Sequence, residues 1–256
     1  MHTNRVKQAL KAGQMQLGAG FWQLRSAEIP RLLAGAGFDW FFLDTEHGGF
    51  DLETVQDLCR VANLSGIAPI VRVGDMEYSL VARALDCGAQ GIIFPRVESP
   101  ELLAQAVSWT KFPPQGVRGY GLSTVQLGYG KVTFPEAIEH TNANTLVVLQ
   151  IETVRAFEAR NELLSIPGID AVLIGPSDLS ISLGLPGDYE NVRVMKTMEA
   201  IRDSCLEHNI APGTHTRSVA LAKYWKERGM LFLSCGNELA YLFERASDVA
   251  KQLKAS

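Results

Sequence analysis

Cysteine is sparse and scattered in this chain: Cys59, Cys87, Cys205 and Cys235 stand far apart and form no C-x-x-C pair. That spacing argues against a zinc knuckle, a redox dithiol or a disulfide framework, and leaves four thiols expected to pack as small apolar side chains. Runs of positive charge are missing too. The formal net charge of −4 is spread along 256 residues, so nothing draws the chain towards nucleic acid or anionic lipid. No apolar run approaches the length of a membrane span, and Met1 to Lys11 lacks the charged-then-apolar order of a signal peptide. A cytoplasmic protein is expected, with small molecules and copies of itself as partners and neither nucleic acid nor membrane among them. Nucleotide signatures are also absent: no G-x-G-x-x-G follows the first apolar run and no G-x-x-x-x-G-K-[ST] occurs. With no low-complexity linker to divide it, the chain reads as one domain over residues 1–256.

What is present is alternation. With 46% hydrophobic residues, short apolar runs and amphipathic stretches succeed one another from end to end, the mark of βα units around a parallel sheet. Eight strands are expected near Leu17–Trp22, Trp40–Asp44, Ala68–Val73, Gly91–Pro95, Thr145–Ile151, Ala171–Gly175, Ile210–Gly213 and Met230–Ser234. Helices are punctuated between them: Ser26 precedes Ala27–Ala36 with Gly37 after it, Asp51 precedes Leu52–Leu64, and Ser99 precedes Pro100–Thr110. Eight such units within this length predict an α/β fold closed as a TIM (β/α)8 barrel. The one long irregular stretch, about Phe112 to Thr133, is rich in Gly and Pro and reads as a lid or substrate-facing wall, or as an ordered loop at a subunit contact.

Barrel chemistry sits at the C-terminal ends of the strands, and there the polar residues form a consistent set. The second strand closes on Asp44-Thr45-Glu46-His47, the third on Arg72, the fourth on Pro95-Arg96, the fifth on Gln150-Ile151-Glu152, and the sixth on Gly175-Pro176-Ser177-Asp178. The two-residue period places Gln150 and Glu152 on one inward face. A single Glu at a strand end would fit a salt bridge, but Glu152 with Asp178 from the next strand suits a hard divalent cation such as Mg²⁺ or Mn²⁺. The amides of Ser177 and Asp178 open a helix and suit an anion, or Ser177 and Asp178 simply cap it. His47 follows Asp44 by three residues, so the carboxylate can orient the imidazole as a general base. Arg72 can hold a carbonyl oxygen or stabilise an enolate, or it can pair with Glu46 or Asp44. No lysine closes an inward-facing strand, which disfavours Schiff-base chemistry and leaves a metal-stabilised enolate.

Together these residues resemble one family. Ala34-Gly35-Ala36-Gly37-Phe38-Asp39 leads to Asp44-x-Glu46-His47; Val71-Arg72-Val73, Pro113-Pro114-x-Gly116-x-Arg118-Gly119, Gln150-Ile151-Glu152 and Gly175-Pro176-x-Asp178-Leu179-Ser180 follow in order. The pattern is similar to that of the HpcH/HpaI aldolases, metal-dependent class II pyruvate aldolases of the phosphoenolpyruvate/pyruvate-binding barrel superfamily. The resemblance implies that Glu152 and Asp178 bind the metal, with Co²⁺ a further option. It implies that Arg72 binds the pyruvate carbonyl oxygen, His47 with Asp44 is the base, and the amides after Gly175-Pro176 receive the carboxylate. Gln150 would hold water. It implies cleavage or formation of 4-hydroxy-2-oxo acids from a 2-oxo acid and an aldehyde, in a hexamer built as a trimer of dimers with exchanged C-terminal helices. Leu239, Leu242, Phe243, Ala246, Val249, Ala250 and Leu253 form an apolar stripe suited to that exchange, or to packing on the chain's own barrel. Leu122 to Gly130 departs from the family pattern by lacking an expected arginine, which alters the aldehyde half of the site. Two alternatives keep the enolate half: a citrate-synthase-like condensation with another electrophile, and a non-catalytic 2-oxo-acid-binding barrel.

Overall fold

The computed structural model describes residues 1–123 and 126–254. Strands β1 (Gln16–Phe21), β2 (Trp40–Asp44), β3 (Ala68–Arg72), β4 (Gly91–Phe94), β5 (Leu146–Ile151), β6 (Ala171–Ile174), β7 (Ala211–Thr216) and β8 (Phe232–Asn237) pair in parallel and in sequence order, and β8 returns to β1 to close the barrel. The chain is therefore the expected α/β TIM barrel. Asp51 caps the helix Leu52–Ser65 through the Thr54 N–H at 2.8 Å, and Gly66 ends it in the left-handed conformation at φ 77°.

Side chains alternate between two cores, as the pleat requires. Phe41, Leu43, Val71, Ile92, Val147, Leu149, Val172 and Ile174 face outward into the helix layer. Trp40, Phe42, Ile70, Ile93, Val148, Leu173 and Phe232 fill the barrel interior, where Trp40 and Phe232 stack with ring centroids 3.8 Å apart. The helix Arg5–Lys11 plugs the N-terminal end with Val6 and Leu10. Beneath this plug Lys7 meets Asp170 and the Thr145 carbonyl, each at 2.8 Å, and Lys111 donates to the carbonyls of Asn142 and Thr145. Both buried lysines thus lie at the end of the barrel away from the strand C-termini.

Two expectations change. β7 and β8 run on to Thr216 and Asn237 instead of stopping at Gly213 and Ser234. The polar residues Thr214, His215, Thr216 and Ser234 belong to the ladder: the Thr214 hydroxyl donates to the Ile174 carbonyl, His215 Nδ1 and Ser234 Oγ pair with each other, and the Thr216 hydroxyl accepts the Ser218 N–H. The described residues of the Phe112–Thr133 segment form no lid over their own barrel. They pack at the N-terminal end: Arg118 pairs with Asp86 at 2.7 Å, Gln126 donates to the Leu85 carbonyl, and Leu122 and Leu127 lie beside Met1, His2 and Gln90. Thr124 and Val125, within the stretch that departs from the family pattern, lie outside the described residues.

Candidate active site

Asp44 and Arg72 close β2 and β3 and stand opposite one another in register. The Asp44 carboxylate is fully buried and takes both arms of the guanidinium, Arg72 Nε at 3.1 Å and an Nη at 2.5 Å. A bidentate pair of this kind fixes orientation as well as charge. The other Nη of Arg72 lies 3.3 Å from Glu46 Oε2. Burial pulls Arg72 down, but the hydrogen bond and charge of Asp44, followed by the charges of Glu46 and Glu152, raise it above its ordinary value. It stays a fixed cation facing the cavity.

This arrangement corrects the expected His47–Asp44 pair. Asp44 Oδ1 accepts the backbone N–H groups of Glu46 and His47, at 3.0 and 3.1 Å, and not the His47 ring. The imidazole instead has Glu46 as its carboxylate neighbour, with Nε2 3.7 Å from Oε2, and its side chain is 61% exposed at the cavity mouth. Three residues of spacing put His47 near Asp44 along the chain. Arg72 takes the carboxylate because β3 delivers it in register, and a buried carboxylate is stabilised most by a permanent cation.

At the end of β5, Gln150 and Glu152 point inward together as their period requires. Gln150 Nε2 donates to Glu152 Oε2, and the Arg96 N–H donates to Oε1 at 2.8 Å. Arg96 reaches that position with a left-handed backbone, φ 53°, a conformation uncommon outside glycine and frequent at ligand-binding sites. Gly175 is required opposite, because a Cβ there would come within 2.7 Å of Glu152 Oε2. Burial pushes the Glu152 carboxyl up; the Arg96 N–H opposes this, and the charge of Asp178 pushes it further up. Asp178 lies exposed in the first turn of the helix Pro176–Ser182, where the N–H groups of Ser177 and Asp178 have no helical acceptor.

One cavity of about 430 Å³ joins these groups, lined among others by Trp22, Phe42, His47, Arg72, Gln150 and the Gly175–Asp178 segment. Further wall comes from β7 and the residues after it, Thr214 to Ser218, and from Tyr189, Met198, Leu221 and Trp225. His215 is inward-facing, its Nδ1 lies 2.9 Å from Ser234 Oγ, and its ring packs edge-on against Trp22 and Phe42. His215 was not among the expected site residues, because β7 was expected to end at Gly213, two residues short of it. The signal was the period itself, since Ala211, Gly213 and His215 alternate on one face. No lysine lines this cavity among the described residues, in keeping with the expected lack of an imine-forming lysine.

The residues fit a divalent cation. Two carboxylates from adjacent strand ends are held close enough for Asp178 to raise Glu152, a repulsion that a cation would relieve, and Gln150 Oε1 is buried with no hydrogen-bond partner. No group of three His, Cys, Asp or Glu side chains converges among the described residues. Two carboxylates with water or substrate oxygens is the usual donor set of Mg²⁺.

The sequence model of the HpcH/HpaI aldolase/citrate lyase family matches residues 19–244. The chain is 32% identical over 253 residues to a 4-hydroxy-2-oxo-heptane-1,7-dioate aldolase of Escherichia coli (strain ATCC 8739), covering 98% of this chain and 95% of the relative. Its fold superimposes on an HpcH/HpaI aldolase from Desulfitobacterium hafniense DCB-2 with a TM-score of 0.92 at 30% identity, over 97% of this chain and 96% of the other. It also superimposes on the citrate synthase SbnG with a TM-score of 0.86 at 26% identity, over 97% of each chain. By barrel, by the residues at its strand ends and by similarity along nearly its whole length, the chain belongs to the HpcH/HpaI aldolase/citrate lyase family.

Proposed function

We propose that this protein is a divalent-metal-dependent carbon–carbon lyase that cleaves or forms 4-hydroxy-2-oxo acids through the enolate of pyruvate or a similar 2-oxo acid. The observation that carries this is the Arg72 guanidinium, clamped by Asp44 and Glu46, opening on the same cavity as Asp178 and as Gln150, which holds Glu152. Arg72 faces the carbonyl oxygen of the 2-oxo acid and stabilises the negative charge that develops there. The N–H groups of Ser177 and Asp178 receive the carboxylate. Glu152, held by Gln150, and Asp178 would bind the cation. When bound, Mg²⁺ or Mn²⁺ would supply positive charge that stabilises the enolate.

In cleavage, the proton leaves the C4 hydroxyl, the C3–C4 bond breaks, its electron pair moves into the enolate and the aldehyde departs. His47, exposed at the mouth beside Glu46, moves that proton through water and returns one to C3. NMR of pyruvate methyl-proton exchange in D2O tests the reading directly. Metal-loaded protein should exchange the methyl protons, and chelator should stop it. No exchange above buffer, together with no cleavage of any 4-hydroxy-2-oxo acid, would remove the proposal.

Similarity to the citrate synthase SbnG supports a second reading with the same enolate half, in which oxaloacetate or another ketone is the electrophile; product analysis of pyruvate with each electrophile separates the two. The exposed Leu242, Phe243 and Leu253 on the helix Glu238–Lys254 support assembly as a hexamer with exchanged C-terminal helices.

A further inference from the structure

The donor half of the reaction occupies β3 to β6, where Arg72, Gln150, Glu152 and Asp178 stand. The second substrate must therefore meet the remaining arc of the cavity, β7 to β2. That arc carries the apolar rings of Trp22 and Phe42 and the polar residues at the end of β7: the Thr214 and Thr216 hydroxyls are already bonded, Arg217 is exposed past the strand end, and His215 is the polar ring that lies against Trp22 and Phe42. His215 faces inward from β7, opposite Ser234 in the ladder. Its Nδ1 is taken by Ser234 Oγ at 2.9 Å, which leaves Nε2 as the ring's unused hydrogen-bonding atom. Burial first, then the nearby Arg217 and Arg72, push the imidazole down to about 4. The ring is therefore neutral at ordinary pH, suited to hydrogen-bonding and not to proton abstraction. The Phe112–Thr133 segment, expected as a possible substrate-facing wall, packs its described residues at the far end of this barrel.

Resting on the lyase reading above, we propose that His215 is the acceptor-specificity residue. Its Nε2 hydrogen-bonds an oxygen on the carbon next to the aldehyde carbonyl, so the favoured acceptor is a short hydroxy- or oxo-aldehyde seated on Trp22 and Phe42. A polar group in an apolar wall discriminates strongly, because an acceptor without the matching oxygen leaves that group unpaired.

The test compares two aldehydes of similar size, glycolaldehyde and propionaldehyde, as acceptors for pyruvate with Mn²⁺-loaded enzyme. The wild type should favour glycolaldehyde in kcat/KM by about 10-fold to 100-fold. His215→Leu, which keeps the apolar packing, should bring that ratio close to one, and His215→Gln should restore part of it. A wild-type enzyme that exchanges pyruvate protons but shows no preference for glycolaldehyde overturns the assignment and leaves the lyase reading intact. So does a His215→Leu enzyme that keeps the wild-type ratio. Wild-type enzyme that does not exchange pyruvate protons removes the lyase reading and this assignment with it. The wild-type ratio needs no variant, so it stands as the test even if His215→Leu fails to fold.

Discussion

Asp44 is the residue on which the geometry of the site turns. It is fully buried and binds both arms of Arg72, so removing it strands a guanidinium in the barrel mouth with Glu46 as its remaining ion-pair partner among the described residues. Breaking a buried pair in this way costs about 3 to 5 kcal/mol. With Glu46 still 3.3 Å away, Asp44→Ala should lose about 3 kcal/mol in urea denaturation and most of its activity. Arg72→Lys keeps the charge but not the planar fork; retro-aldol kcat should fall about 100-fold, in line with the loss of one oxyanion-stabilising donor. Glu152→Gln is close to isosteric and removes the charge facing Asp178. The melting temperature of wild type should rise on adding Mn²⁺, through binding to the native state alone, and that rise should vanish in Glu152→Gln.

Elements matter here through what they hold in place. Glu238, buried at the start of the C-terminal helix Glu238–Lys254, accepts three backbone N–H groups with one oxygen: Trp22 at 2.8 Å, Gln23 at 2.7 Å and Leu24 at 3.2 Å. The loop after β1 is thereby tied to the helix after β8, and Trp22 is set against Phe42 and His215. Gly20 makes room for it, since a Cβ there would overlap the Trp22 ring. Glu238→Ala should cost about 2 to 3 kcal/mol, the penalty for leaving donors unpaired at a buried site. It should also raise KM for the aldehyde more than KM for pyruvate, because the wall it positions belongs to the acceptor arc. Steady-state kinetics with each substrate varied in turn checks that split.

For the whole molecule, the two ends of the barrel carry different burdens. At the closed end, burial and the charge of Lys7 pull Lys111 down to about 7, from an ordinary value of 10.5. In that interval the unfolded chain binds more protons than the folded one, so stability should rise as pH increases from about 7 towards 10, at up to about 1.4 kcal/mol per pH unit. Lys111→Met should flatten that slope in denaturation curves measured at successive pH values. On the outside, Phe243 is 73% exposed and Leu242 60% exposed on the C-terminal helix. A paired Leu242→Glu and Phe243→Glu variant should sediment as a smaller assembly than wild type while keeping its far-UV circular dichroism. No helix is long and apolar enough to cross a membrane among the described residues.

Local chemistry alone decided the eight βα units and most of the strand-end residues. A two-residue period, a capping Asp51, a left-handed Gly66 and a Gly-Pro turn before Asp178 each report a local backbone preference, and those preferences survive folding. Gln150 and Glu152 were legible as inward partners for the same reason. Tertiary structure decided which charge meets which. Asp44 is next to His47 along the chain, yet pairs with Arg72 across 28 residues, because strand register brings a guanidinium to it and burial makes that cation the stronger demand. It also decided the ends of β7 and β8; Thr214 and His215 read as loop until the barrel supplies partners for their polar atoms. The Phe112–Thr133 segment carried turn residues that predict a loop but say nothing of which end of the barrel receives it. Arg118 and Gln126 find Asp86 and the Leu85 carbonyl only at the closed end, because the direction of a loop is set by distant groups that satisfy it and not by its own sequence.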